Sequence, residues 1–205
     1  MRERNGPVIE LAILGLLKDH PMHGYQLSRE LSDQLGGLWK VSYGSLYPTL
    51  RRLERQGAVE ATSGTPGTGG GRRKTVYRIT EHGEALFLQL LEEPIHDGAA
   101  EDARFRVRLV FFRYLPPETR IRLLDRRRQG LQDRLAGVKA AIRSAADADD
   151  EYTRALMEHG RAATETDIAW LTGLIQHERT RYGITAPQGD RRRAQATLRR
   201  KERTA

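Results

Sequence analysis

A mainly α-helical chain with a small β-wing, an N-terminal head followed by long C-terminal helices, is the architecture this sequence predicts. Three observations predict it. Leu46, Leu50 and Leu53 recur at i, i+4 and i+7, which gives one helix a narrow apolar stripe. Behind that helix stand two short strand-like stretches, Ala58–Thr62 and Thr75–Ile79, divided by a Gly- and Pro-rich loop, the pattern of a β-ribbon. Beyond Pro117 apolar side chains return at three- and four-residue steps until Trp170, the rhythm of long packed helices.

Taken in order, Pro7 suits the first turn of a helix over Val8–Lys18. Leu11, Leu14 and Leu17 are expected to face a core, while Val8, Ile9, Ala12 and Leu16 form another apolar surface. That surface packs either on a partner or inside a fully buried central helix. His20 and Pro21 make a turn, and HGYQLSRELSDQL is the next helix, with Leu27, Leu31 and Leu35 as its core stripe. Tyr25 near its start has two uses open to it, bonding a phosphate or covering the core. Gly36–Leu38 turn the chain, and Trp39 is a core residue or part of a ligand pocket.

Ser42 is the expected N-cap of the helix bearing Leu46, Leu50 and Leu53. On a 100° wheel its opposite face carries Ser45, Pro48, Arg51, Arg52 and Arg55. Hydroxyls and guanidiniums outside, with aliphatics inside, suit a helix that enters a major groove. Pro48 removes one helical hydrogen bond and crowds the carbonyl of Gly44, so a bend there would set how the first turns meet base edges. Gly57 ends the helix, and the loop Gly64–Gly71 leads to Arg72, Arg73 and Lys74. With five glycines, a proline and no apolar residue, that loop cannot bury anything and is expected to be mobile without DNA. Helix, strand, basic loop, strand is the second half of a winged helix-turn-helix.

The segment SYGSLYPTLRRLERQGAV resembles the recognition-helix signature of PadR-type transcriptional regulators. LAILGLLKDHPMHGYQLSREL upstream and RRKTVYRITEHG downstream are similar to the same family in order and spacing. The wing is longer and richer in glycine than is usual there. The remainder resembles the helical C-terminal region of the long PadR subfamily more loosely. The resemblance implies a winged helix that binds double-stranded operator DNA, and a repressor released by small aromatic or drug-like molecules.

Past the wing, Thr80 is expected to cap a helix over Glu81–Leu91 with Leu86, Leu90 and Leu91 inward. Four segments are expected: a winged helix over 1–93, a linker over 94–100, a helical dimerisation region over 101–182 and a basic, disordered tail over 183–205. Glu101–Leu115 reads as a helix with Phe105, Leu109, Phe111 and Phe112, broken by Pro116 and Pro117. Ile121, Leu124, Leu131, Leu135, Val138 and Ile142 form a seam interrupted by Arg128. Tyr152, Leu156, His159, Ala163, Thr166 and Trp170 repeat it on a second long helix, Ala145–Asp150 being the turn between them. An antiparallel arm that buries one face needs a partner, so a coiled-coil-like homodimer is expected through Leu131, Leu135, Val138, Leu156 and Trp170.

The net charge of +8 favours a polyanionic partner, but the tail alone carries seven Arg or Lys against Asp190 and Glu202. No cysteine is present, which excludes disulfides and thiolate metal sites. His20 and His23 lack further ligands at metal spacing, and no phosphate loop or catalytic grouping stands out. The expectation is therefore a cytoplasmic regulator that is not an enzyme and needs no cofactor or metal. The apolar run after the N-terminal charges is too short to span a bilayer and lacks a cleavage site. On DNA, expected to be palindromic in line with two-fold symmetry, the expected contacts are Tyr25, Ser42, Tyr43, Ser45, Tyr47, Pro48, Arg51, Arg52, Arg55 and the wing residues Arg72, Arg73 and Lys74. Trp39, Phe112 and Trp170 are the candidate effector contacts. The alternative is a winged-helix protein-interaction module that assembles a complex through its coiled coil.

Overall fold

The computed structural model describes residues 6–35, 43–63, 75–93, 99–144 and 150–185. The chain separates into two compact units, 1–115 and 116–205.

The first unit is built on α1 (Gly6–Asp19), which contacts α2 (Gly24–Leu35), α3 (Tyr43–Arg55), α4 (Glu81–Glu92), α5 (Ala99–Val110) and strand β3 (Thr75–Ile79). Val8, Ile9, Ala12 and Leu16 are buried together with Leu11, Leu14 and Leu17. Both apolar surfaces read from the sequence are thus covered, which makes α1 a central helix. A short strand β1 (Met22–His23) and strand β2 (Val59–Ser63) flank β3 in an antiparallel sheet of order β1-β3-β2. Met22 pairs with Tyr77, and Val59 with Ile79. β1 was not expected, because two residues carry no readable alternation.

The turn that stops α3 closes on Gly57, whose φ of 71° lies in the left-handed region that glycine enters without steric cost. Thr80 caps α4 as expected: its hydroxyl oxygen accepts from the Gly83 N–H at 3.1 Å and the hydroxyl donates to the Gly57 carbonyl at 2.6 Å. One side chain therefore ties a helix start to the preceding turn. Leu91 is fully buried, Leu86 and Leu90 are half-buried, and Phe87, not among the expected inward residues, is fully buried as well.

The expected helix over 101–115 is shorter. α5 ends at Val110 and a 3₁₀ turn over Phe112–Tyr114 follows. Backbone bonds of the i→i−3 type, Phe111 to Arg108, Tyr114 to Phe111 and Leu115 to Phe112, tighten the chain. The tighter turn brings two consecutive rings inward. Phe111 meets the edge of Phe87 at 5.8 Å, and Phe112 that of Phe105 at 6.4 Å. A Cβ on Gly15 would stand 2.4 Å from the Phe111 ring, so α1 can accept this ring only at a glycine. Arg113 and the Tyr114 hydroxyl both donate to Asp19 at the end of α1. These contacts carry the first compact unit to Leu115. α5, assigned from sequence to the C-terminal side of a linker at 94–100, packs instead with α1.

The second unit pairs α6 (Pro117–Ser144) with α7 (Glu151–Tyr182). The helices run antiparallel, since Arg120 near the start of α6 meets Glu178 near the end of α7 at 3.0 Å, while Lys139 meets Glu165 at 2.8 Å. Asp150 caps α7 by accepting from the N–H groups of Tyr152 and Thr153. On α6, Ile121, Leu124 and Leu131 are buried and Leu135, Val138 and Ile142 half-buried. On α7 the buried residues are Thr164, Leu171, Ile175 and Glu178. Every member of the sequence-read α7 seam, from Tyr152 to Trp170, is exposed. α7 therefore has two stripes, and the one that lies inward is not the one read from the heptad rhythm. No helix among the described residues is long and apolar enough to cross a membrane.

Candidate nucleic-acid interface

The buried side of α3 is the one its periodicity marks: Leu46, Leu50 and Leu53 are fully buried. Burying three leucine side chains contributes roughly 1.5–3 kcal/mol each, which anchors α3 in the head and leaves its other face to water. Tyr47, Pro48, Arg51 and Arg55 are exposed, and Ser45 is half-buried. The helix runs through Pro48 without interruption. One residue on, the Thr49 hydroxyl donates to the Ser45 carbonyl at 2.8 Å, beside the backbone bond that proline cannot make to Gly44. The Arg55 Nε donates to the Arg51 carbonyl at 3.3 Å, which lays its side chain along the helix.

Arg52 does not share that outward face. Its Nη2 lies 2.7 Å from a Glu10 oxygen on α1, and its guanidinium stands 3.3 Å from where a Cβ on Gly6 would be. Arg52 thus ties α3 to the central helix. It was expected on the DNA side because a helical wheel, drawn with no neighbour in view, cannot weigh a carboxylate on another helix.

Tyr25 and Tyr47 come together at a groove of about 340 Å³ that is lined by His23–Gln26, Tyr47, Thr75 and Tyr77. Tyr25 is 69% exposed and Tyr47 38%. Burial first, then the Glu54 carboxylate, pushes the Tyr77 phenol up from its ordinary value, with Arg51 acting the other way. The phenol is therefore a neutral O–H at physiological pH. The sequence reading missed His23, Gln26 and Tyr77 as members of this site. The sequence reading had His23 open the helix HGYQLSRELSDQL and weighed it only as a metal ligand.

Ser42, Trp39 and the wing residues Arg72, Arg73 and Lys74 lie outside the described residues, as does the tail beyond 185; of Tyr43 only the backbone is described. Phe112 is buried against Phe105 and Trp170 is 49% exposed on α7. They belong to different compact units.

An exposed polar helix held by leucines beside a three-stranded antiparallel wing defines a winged helix-turn-helix, a DNA-binding class of protein. Comparison with known families refines this. The transcriptional regulator PadR-like family matches residues 13–89, and the virulence activator alpha C-terminal family matches residues 103–177. The chain is 39% identical over 89 residues to transcriptional regulator Rv3488 of Mycobacterium tuberculosis, covering 43% of this chain and 78% of that one. It is 30% identical over 77 residues to the negative transcriptional regulator PadR of Bacillus subtilis, covering 38% of this chain and 41% of that one. Among solved structures it is similar to Bacillus subtilis PadR in complex with operator DNA, with 19% identity, 83% of this chain and 99% of that chain covered, and a TM-score of 0.41. The chain belongs to the PadR-like family of transcriptional regulators. Its class is one of DNA-binding regulators, not of catalysts.

Proposed function

We propose that this protein is a homodimeric, sequence-specific repressor that reads operator DNA with α3. The observation that carries the reading is the two-sidedness of that helix. All its leucines are buried, and the face left to solvent offers Tyr47, Pro48, Arg51 and Arg55. Guanidiniums on such a face bond phosphates or guanine edges. Tyr25, Ser42, Tyr43 and Ser45 complete the proposed contact set on the head, and Arg72, Arg73 and Lys74 on the wing. Arg52 supports this set from behind. A protein-docking use of the winged helix would call for aliphatic side chains on the same face, and α3 keeps none there.

The dimer is proposed through the C-terminal helices. Tyr152, Leu156 and Trp170 are 86%, 70% and 49% exposed along one side of α7, an apolar stripe that a second copy would cover. Leu131, Leu135 and Val138 support it from α6. Release by a small aromatic or drug-like effector is the further expectation of the family resemblance. Trp170 is half exposed on α7, and Phe112 packs against Phe105. Action on genomic DNA implies a cytoplasmic protein.

The test is a mobility-shift titration on the DNA upstream of its own gene, with and without candidate effectors. Arg51→Glu, and the pair Arg72→Glu with Arg73→Glu, are expected to abolish the shift. A shift that survives both sets of changes overturns this assignment of the DNA face.

A further inference from the structure

The first compact unit ends at Leu115 and the second begins at Pro116, and the chain on both sides of that joint is tied down. Phe111 and Phe112 pack on Phe87 and Phe105. The Arg113 guanidinium donates to Asp19 at 2.6 Å and lies over the Tyr114 ring, 4.9 Å from its centre. Tyr114 donates its hydroxyl to the same carboxylate and meets Phe87 edge to face, with ring centres 5.4 Å apart. Leu115 is buried, and its N–H donates to the Phe112 carbonyl at 2.9 Å. Pro116 already serves α6, because its carbonyl accepts the Arg120 N–H at 3.0 Å as the first bond of that helix. No residue is left over to act as a hinge.

The prolines remove most of the rotation that remains. Each ring locks its own φ, and each also holds the residue before it in the extended region. That restriction falls on Leu115, whose ψ is 148°, and on Pro116 itself. We propose that this stiff joint fixes the half-site separation the dimer accepts on DNA, with Pro116 and Asp19 as residues that set it. The inference rests on the reading of the protein as a homodimer with a DNA-reading head on each copy. Pro116 acts by removing rotations at the joint. Asp19 acts through Arg113 and Tyr114 and is a positioning residue. With loose joints the second head would find its half-site over a range of separations. With stiff ones it engages at a single register, and elsewhere its contribution is lost.

Fluorescence anisotropy tests this on the wild type, Pro116→Gly, Asp19→Ala and a chain with two glycines inserted between Leu115 and Pro116. Pro116 is exposed, and the insertion leaves the contacts of the head and the first bond of α6 in place. The duplexes carry the operator that the wild type selects from a random pool, together with versions whose two halves are moved apart. Five added base pairs turn the second half-site to the opposite side of the duplex, about 17 Å further on. For the wild type we expect those five pairs to weaken binding by about hundredfold or more, the gain a second head supplies. The insertion should cut that ratio to less than about tenfold. Pro116→Gly and Asp19→Ala should lower it in the same direction by a smaller factor. A variant that is merely destabilised would bind every duplex more weakly by one factor and keep the ratio. Light scattering is expected to report a dimer in all four samples. A dimeric wild type that tolerates five added pairs overturns the inference and leaves the homodimer reading standing, as does a ratio that the insertion leaves unchanged. An insertion that lowers the ratio while Pro116→Gly and Asp19→Ala leave it alone overturns the roles given to those two residues. A monomeric wild type, or a selected site without two halves, overturns the homodimer reading and the inference with it.

Discussion

A single 100° step along α3 carries Arg51 out toward solvent and brings Arg52 back to within 2.7 Å of Glu10 on α1. The two neighbours are therefore expected to fail differently. Arg51→Glu should abolish operator binding while shifting stability by less than about 0.5 kcal/mol, as for exposed positions away from structural features. Arg52→Ala removes a half-exposed ion pair and should lower stability by about 1 kcal/mol or less. It should also weaken DNA binding, because α3 loses a strut. Urea unfolding beside a mobility shift separates the two. An Arg52→Ala protein with wild-type stability and no DNA binding would return Arg52 to the DNA face. At Gly15, a methyl group would stand 2.4 Å from the Phe111 ring, and Gly15→Ala should cost roughly 1–3 kcal/mol through overpacking. An unchanged melting temperature would show that the 3₁₀ turn yields freely.

Among the elements, α6 and α7 are joined by a charge pair that is largely buried. Arg120 and Glu178 have side chains only 14% and 12% exposed, and Arg120 also reaches the Tyr182 hydroxyl at 3.5 Å. Removing one partner leaves the other desolvated, so Glu178→Ala should destabilise the helical unit by about 3 kcal/mol, read as an earlier thermal transition. At the opposite end of α7, the Thr153 hydroxyl and then its N–H hold the Asp150 carboxyl below its usual range. A folded value below the unfolded one, about 3.9, means the cap's contribution is complete above that pH. It is lost as pH falls through the folded value. Amide exchange at Tyr152 and Thr153 should therefore accelerate in acid below about pH 4, beyond the intrinsic pH trend. Asp150→Asn should abolish that extra acceleration; its persistence in the variant would assign the fraying to another group.

For the whole molecule, one winged helix presents a small contact surface, and a lone module falls short of usual operator affinity. Two heads on a two-fold axis can read half-sites one helical turn apart or a multiple of it. The exposed side of α7 is the proposed source of that axis. Because Leu156 and Trp170 are exposed in the single chain, Leu156→Glu with Trp170→Glu should preserve helicity by circular dichroism. Light scattering should report half the wild-type mass, and tight binding to a palindromic duplex should vanish with the dimer. A monomeric variant that binds as tightly as before would separate the C-terminal helices from DNA affinity.

The leucine side of α3, the Thr80 cap, the Gly57 stop and the proline that opens α6 were all legible in the sequence. Each depends on residues within about one turn of the helix it shapes, and local spacing records such relations directly. The tertiary structure alone showed that Arg52 pairs with Glu10, far off in sequence, while Arg51 stands exposed. It alone brought His23, Tyr47 and Tyr77 to one groove, because β1 is too short to leave a period and pairs with a strand more than fifty residues away. On α7 the sequence offered a heptad stripe, yet the inward residues are Thr164, Leu171, Ile175 and Glu178. Periodicity reports that a helix has an apolar side. Which side meets its own chain depends on the facing helix, and there Arg120 made a glutamate an interior residue.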